Sequence, residues 1–204
     1  TTVASATVLG ALNVGVYAGA GDAIRLGMIG CGGRNSGAAD QALTADKGVR
    51  LVAMCDIFMD RVKAVREMLK GRKADHVAVD DDHCFAGFDG YKRVIEASDV
   101  VVIANAAKFH PLHALTAIQA GKHVFVEKPH GIDPLGMKTM KKAADTAKGK
   151  GLCLASGLHS RHHAGYVETV QRIHDGQIGD VVAIEENFLR GPYGVIDRKP
   201  GLSE

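Results

Sequence analysis

Glu127, Lys128 and Pro129 follow the short apolar run His123-Val124-Phe125-Val126. A charged pair at the C-terminal end of a buried parallel strand sits where open α/β sheets bind their ligands. A lysine held there can stabilise a developing alkoxide or tune a neighbouring base, as oxidation of an alcohol requires. A second constellation, Gly30-Cys31-Gly32-Gly33-Arg34-Asn35, follows another apolar run. In such a turn Gly30 permits the bend, and Gly32, with Gly33 beside it, lets the backbone approach a pyrophosphate. The helix that follows offers N–H groups and a partial positive charge. Asp56 closes a third apolar run, where a carboxylate can bind both adenine-ribose hydroxyls and repel a 2′-phosphate. These three features predict a dinucleotide site that takes NAD in preference to NADP.

Each feature also has a plainer reading. Glu127 and Lys128 can form a weak exposed ion pair, with Pro129 merely ending the strand. Asp56 can cap the next helix. Arg34 either touches the pyrophosphate or is a solvated loop arginine. The third glycine expected in the turn is replaced by Asn35, which tolerates left-handed backbone angles but carries a side chain into close helix-to-strand packing. A phosphate-loop reading of residues 32–37 fails, because Ala38 and Ala39 stand where Lys and Ser/Thr are required.

The elements that must position these residues follow from the hydrophobic pattern. Strands are predicted at 24–29, 49–55, 100–103, 123–126 and 152–155, with a short one ending near Phe85. The β-branched run Val100–Ile103 marks a strand covered on both faces. Helices are predicted from about Ser36, over 60–70 with Gly71 as the stop, over 91–97, from Pro111 to Gly121, and from the Asp133 cap with Pro134 at its first position to Lys148. Alternating strands and helices imply βαβ units, hence an α/β fold with a Rossmann-type doubly wound parallel sheet over 22–157. Beyond it, 158–204 reads as an incomplete second α/β domain, with a helix at 166–174 and a long strand at 180–188.

Composition narrows the class. The 204 residues are 46% hydrophobic and carry a net charge of +2. That leaves no basic footprint for nucleic acid. Residues 1–21 are uncharged and end in Ala18-Gly19-Ala20, which matches either an export-signal remnant or an N-terminal arm packed on the domain. The run is too mildly apolar for a stable membrane span. Cys31, Cys55, Cys84 and Cys153 form no C-x-x-C pair and read as buried free thiols. His159, His162 and His163 cluster without a completing carboxylate or cysteine, so no metal site is expected.

At this point the chain resembles the glucose–fructose oxidoreductase, inositol dehydrogenase and rhizopine-catabolism (Gfo/Idh/MocA) family. The resemblance rests on IGCGG at 29–33, Asp56, the stretch DVVVIANAAKFHPLHALTAIQAGKHVFVEKP at 99–129, and HSRHHAGYVETVQRIHDGQIGDVVAIE at 159–185. It implies hydride transfer between NAD(P) and a sugar, polyol or related hydroxyl compound. Lys128 matches the lysine that points at the reacting hydroxyl and the nicotinamide ribose. Glu127 matches the acidic residue that orients the cofactor side. Asn105 and His110 match the loop bordering the nicotinamide half, and Arg161 a basic position near the start of the second domain. In the family the base is usually an Asp or His of that second domain, and association into homo-oligomers runs through its sheet.

Three functions remain open from sequence: a sugar or polyol dehydrogenase, a glycoside hydrolase that uses held NAD for transient redox, and a non-catalytic dinucleotide sensor. The first 21 residues match an exported, periplasmic subset of the family if they are a signal remnant, and a cytoplasmic protein otherwise.

Overall fold

The computed structural model describes residues 23–189 and Gly191. Six strands form one parallel sheet: β1 (Ile24–Ile29), β2 (Val49–Asp56), β3 (Cys84–Ala86), β4 (Val100–Ile103), β5 (His123–Val126) and β6 (Leu154–Ser156). Their order across the sheet is β3-β2-β1-β4-β5-β6. The direction of winding reverses between β1 and β4, and such a switch point opens a crevice outside the carboxyl ends of the strands.

Helices α1 (Gly33–Ala45) and α2 (Met59–Lys73) cover one face, and α3 (Gly90–Ala97), α4 (His110–Gln119) and α5 (Pro134–Lys150) the other. Leu26 and Met28 pack with Ala39, Leu43, Val62 and Leu69. Ile29, Ile103 and Val126 pack with Val94, Ile118 and Ala143 on the opposite side. Each strand therefore presents apolar side chains in both directions, as a sheet sandwiched by helices requires.

Strand β2 departs from strict alternation. Leu26 lies opposite Leu51, but Gly27 lies opposite Ala53, so Val52 is an extra residue on β2. The insertion moves the side chains beyond it by one position relative to the pleat. Leu51 and Met54 accordingly share a face, while Ala53 and Cys55 point to the other.

Helix α5 starts where its sequence predicts and runs two residues past the expected Lys148, to Lys150. Asp133 Oδ1 accepts from the Gly136 N–H at 2.6 Å, Pro134 follows the cap, and Gly151 closes the helix at φ 66°. Other boundaries differ. Helix α1 begins at Gly33, earlier than Ser36, because the glycine turn leads directly into it. Helix α2 continues through Gly71 to Lys73. A mid-helix glycine costs only about 1 kcal/mol relative to alanine, and Lys70, Arg72 and Lys73 in the last turn favour the helix C-terminus. Strand β6 is shifted to Leu154–Ser156, where its pairing with β5 lies.

By backbone proximity the chain divides into two compact units, Thr1–Leu158 and His159–Glu204. The second contains a 3-10 turn, His159–His162, and α6 (Ala164–His174), ended by Asp175 and Gly176. The strand predicted over 180–188 is not formed: a strand exists through its ladder, and these residues have no ladder partner among the described residues. The run 1–21 lies outside the described residues. Among those described, no helix is long and apolar enough to cross a membrane, and no cluster of metal-ligating side chains occurs.

Candidate functional site

The glycine turn leaves β1 at the switch point. Gly30 has φ 95°, and its N–H donates to Cys55 O at 2.8 Å. A Cβ at this position would stand 2.8 Å from Asn105 Cβ, so Gly30 is required by both its backbone angle and the approach of β4's loop. Gly32 caps α1 without a side-chain hydrogen bond, and the first turn of α1 contains no acidic residue. A Cβ on Gly32 or Gly33 would meet nothing within 4 Å. The helix start thus offers backbone N–H groups and an open approach to an anion.

Asp56 ends β2 beside this turn. Its Oδ2 accepts from the Cys31 N–H at 2.7 Å and its Oδ1 from the Phe58 N–H at 3.2 Å. The carboxylate is therefore oriented by backbone on both oxygens, and each oxygen retains a further lone pair. It accepts from the N-cap residue of α2 but from no N–H inside that helix, so it is not the helix cap of the alternative reading, and it lines a cleft.

That cleft, about 260 Å³, lies over the ends of β1, β2 and β4. Asp56, Phe58, Arg61, Tyr91, Asn105 and His113 are among its walls. Arg61 stands 5.1 Å over the Phe58 ring. His113 stacks on Tyr91 at 4.1 Å and on Phe109 at 5.8 Å. Burial, with His110 nearby, lowers the His113 pKa from its ordinary value to about 4, so the ring is neutral at pH 7. Its Nδ1 lies 3.2 Å from Asn105 Nδ2. Asn105 Oδ1 is buried without a partner, an acceptor left over at the rim of the cleft.

Asn35 is wholly buried, and its side chain ties elements together where it was expected to loosen them. Nδ2 donates to Ile29 O and Gly30 O, both at 2.8 Å, and to Val102 O at 3.3 Å. The amide joins α1 to β1 and β4 at the seam where the third glycine would have allowed close packing.

One strand further along, Glu127 and Lys128 follow β5. Glu127 is buried, with 5% of its surface exposed. Its partner is Arg34, where the exposed-pair alternative would have made it Lys128. Arg34 Nε donates to Glu127 Oε1 at 2.8 Å, and Nη2 also faces that oxygen. Arg34 was expected either at a pyrophosphate or in solvent; here its guanidinium is engaged by a carboxylate. Lys128 is exposed, its N–H donates to Glu127 Oε2 at 3.1 Å, and its peptide bond to Pro129 is cis. His110 is buried between two carbonyls, with Nδ1 2.8 Å from Pro129 O and Nε2 3.0 Å from Asn105 O. It couples the loop after β4 to the loop after β5.

The first unit thus brings together Gly30, Gly32, Gly33, Arg34, Asn35, Asp56, Asn105, His110, Glu127 and Lys128. Arg161 belongs to the second unit, on its 3-10 turn, and is exposed. Sequence reasoning missed His113, Phe58 and Arg61. The signal for His113 was its place three residues after His110 on a helix, which sets both rings near one face. The cysteines need one correction. Cys31, Cys55 and Cys84 are buried, and burial raises all three thiols, Cys55 to about 12. Cys153, the residue before β6, is exposed.

Over 110 residues the chain is 37% identical to a glycosyl hydrolase family 109 protein of Solibacter usitatus, covering 52% of this chain and 24% of that protein. Over 162 residues it is 30% identical to an inositol 2-dehydrogenase/D-chiro-inositol 3-dehydrogenase of Halalkalibacterium halodurans, covering 79% of this chain and 43% of that protein. Its fold is similar to that of a myo-inositol 2-dehydrogenase from Lactobacillus plantarum, with TM-score 0.64 and 25% identity, over 79% of this chain and 44% of that one. The chain spans less than half the length of each of these proteins. The model of the Gfo/Idh/MocA oxidoreductase family, with its NAD-binding Rossmann fold, matches residues 24–156, and the chain belongs to that family.

Proposed function

We propose that this protein is an NAD-dependent oxidoreductase that moves a hydride between the nicotinamide and a hydroxyl carbon of a sugar or polyol. The observation that carries this reading is the start of α1, free of any side-chain cap, beside the oriented Asp56 carboxylate, with Lys128 at the end of β5 on the same edge of the sheet. Gly32 and Gly33 leave room for the pyrophosphate against backbone N–H groups. Asp56 holds the adenine-ribose hydroxyls and disfavours a 2′-phosphate, so NAD is preferred to NADP. Asn105, with its spare buried acceptor, lies on the nicotinamide side, and His110 fixes that loop against Pro129. Bound NAD supplies the hydride acceptor. Lys128 stabilises the alkoxide as the substrate hydroxyl gives up its proton, and the base that takes this proton is a separate group.

The names of the inositol dehydrogenases to which the chain is similar support a polyol as substrate. The test is a panel of cyclitols and sugars with the full chain and NAD, following absorbance of NADH. Net NADH with one class of polyol supports the reading, and its absence across the panel overturns it. Similarity to a family 109 glycosyl hydrolase favours a second reading, in which NAD is reduced and reoxidised within one turnover of glycoside cleavage. Cleavage of an aryl glycoside that depends on bound NAD without net NADH would select it.

A further inference from the structure

Glu127 is an acid almost wholly removed from water, and three donors meet it: Arg34 Nε, Arg34 Nη2 and the Lys128 N–H. A buried carboxylate needs such donors, and removing one partner leaves the charge uncompensated. Arg34 projects from the first turn of α1, the helix whose start forms the open glycine cradle. Lys128 is joined to the same carboxylate through its backbone. The far side of the carboxylate rests on Gly157, just past β6. A Cβ there would lie 2.5 to 2.8 Å from the carboxylate atoms, so the position takes no side chain while Glu127 keeps its place. These contacts join three strand ends: β1 through the turn and α1, β5 through Glu127 itself, and β6 through Gly157.

We infer that the Arg34–Glu127 pair, seated on Gly157, is a positioning lock that sets Lys128 relative to the glycine cradle, and that Arg34 is not a pyrophosphate ligand. Two guanidinium nitrogens face the carboxylate, and that carboxylate in turn holds the Lys128 backbone. The lock therefore governs how the nicotinamide half is presented and leaves the grip on the ADP-ribose half unaffected. This inference rests on the dinucleotide reading of the site.

The experiment uses the full chain and two probes, ADP-ribose and NADH, with dissociation constants from calorimetry and the emission of bound NADH as a report on the nicotinamide. The variants are Arg34→Ala, Arg34→Lys, Glu127→Gln and Gly157→Ala. For Arg34→Ala, Glu127→Gln and Gly157→Ala, ADP-ribose affinity is expected to stay within about threefold of wild type. NADH affinity is expected to fall about tenfold, with loss of the emission change. Arg34→Lys keeps the charge and recovers part of the NADH signal. In the double variant Arg34→Ala/Glu127→Gln the loss is no greater than in the worse single variant, as for two halves of one interaction. Arg34 is half exposed, so its variants test the lock even if Glu127→Gln fails to fold.

If Arg34→Ala weakens ADP-ribose about tenfold while Glu127→Gln does not, Arg34 is a pyrophosphate ligand and the lock is overturned. Unchanged NADH binding in all variants also overturns it. Wild-type protein that binds neither probe overturns the functional reading itself, an outcome distinct from both.

Discussion

At the scale of single residues, Asp56 and Lys128 make opposite demands on binding and turnover. Asp56→Ser removes the charge that disfavours a 2′-phosphate. NAD affinity should fall about tenfold, the worth of a charge-assisted hydrogen bond, and preference over NADP should shrink. Calorimetric titration with both dinucleotides checks this. Lys128→Met should lower kcat by about a hundredfold or more, the usual contribution of a positioned proton-handling group. ADP-ribose affinity should change little, because the lysine side chain is exposed and separate from the glycine cradle. Steady-state kinetics on the polyol identified by the substrate panel separates the two effects. The strand-end positions of Asp56 and Lys128 were legible in sequence because each stands at the end of a run whose apolar pattern is unmistakable. The partner of Glu127 was not legible: Arg34 lies 93 residues away, and only the folded sheet brings them together. His113 escaped notice for a related reason, since its neutral state depends on burial between Tyr91 and Phe109.

Elements show the same division. Helix α5 was readable at its start because its cap and its first-position proline are local signals, whereas its end lies at Lys150, two residues past the Lys148 that was expected. Asp133→Ala should destabilise the protein by about 1 kcal/mol, the typical worth of such a cap, measurable by urea unfolding. Helix α2 was misread at Gly71 because a weak local preference gives way to packing of Leu69 and to a favourable basic last turn. The strand expected over 180–188 depends wholly on non-local pairing, for which apolar alternation alone is insufficient. At the glycine turn, local and non-local terms meet. Gly30→Ala should cost on the order of 1–3 kcal/mol, from the positive φ and the clash with Asn105. Circular dichroism melting should register the loss.

For the molecule as a whole, His113 couples stability to pH. Its folded-state value, about 4, lies below the ordinary 6.5 of an unfolded histidine. The unfolded chain therefore binds this proton more readily. The stabilisation is complete above pH 6.5 and is lost as pH falls from there towards 4, by on the order of 3 kcal/mol. A His113→Gln variant should lose that share of the pH dependence, seen by comparing denaturant midpoints at pH 7 and pH 4.5. The parallel, doubly wound sheet followed from the alternation of strands and helices, but the register of β2 did not. The extra residue Val52 leaves no mark on hydrophobicity, and it decides which face Met54 and Cys55 occupy. It also gives β2 one residue of slack. Deleting Val52 would restore simple alternation and leave Ala53, Met54 and Cys55 on the faces they already occupy, with Asp56 still against Cys31. A second residue lost from β2 would have no bulge to absorb it, and the strand end would shift by one position and turn Asp56 to the other face. The chain should thus tolerate the loss of one codon at Val52 yet be intolerant of a second lost codon in the same strand.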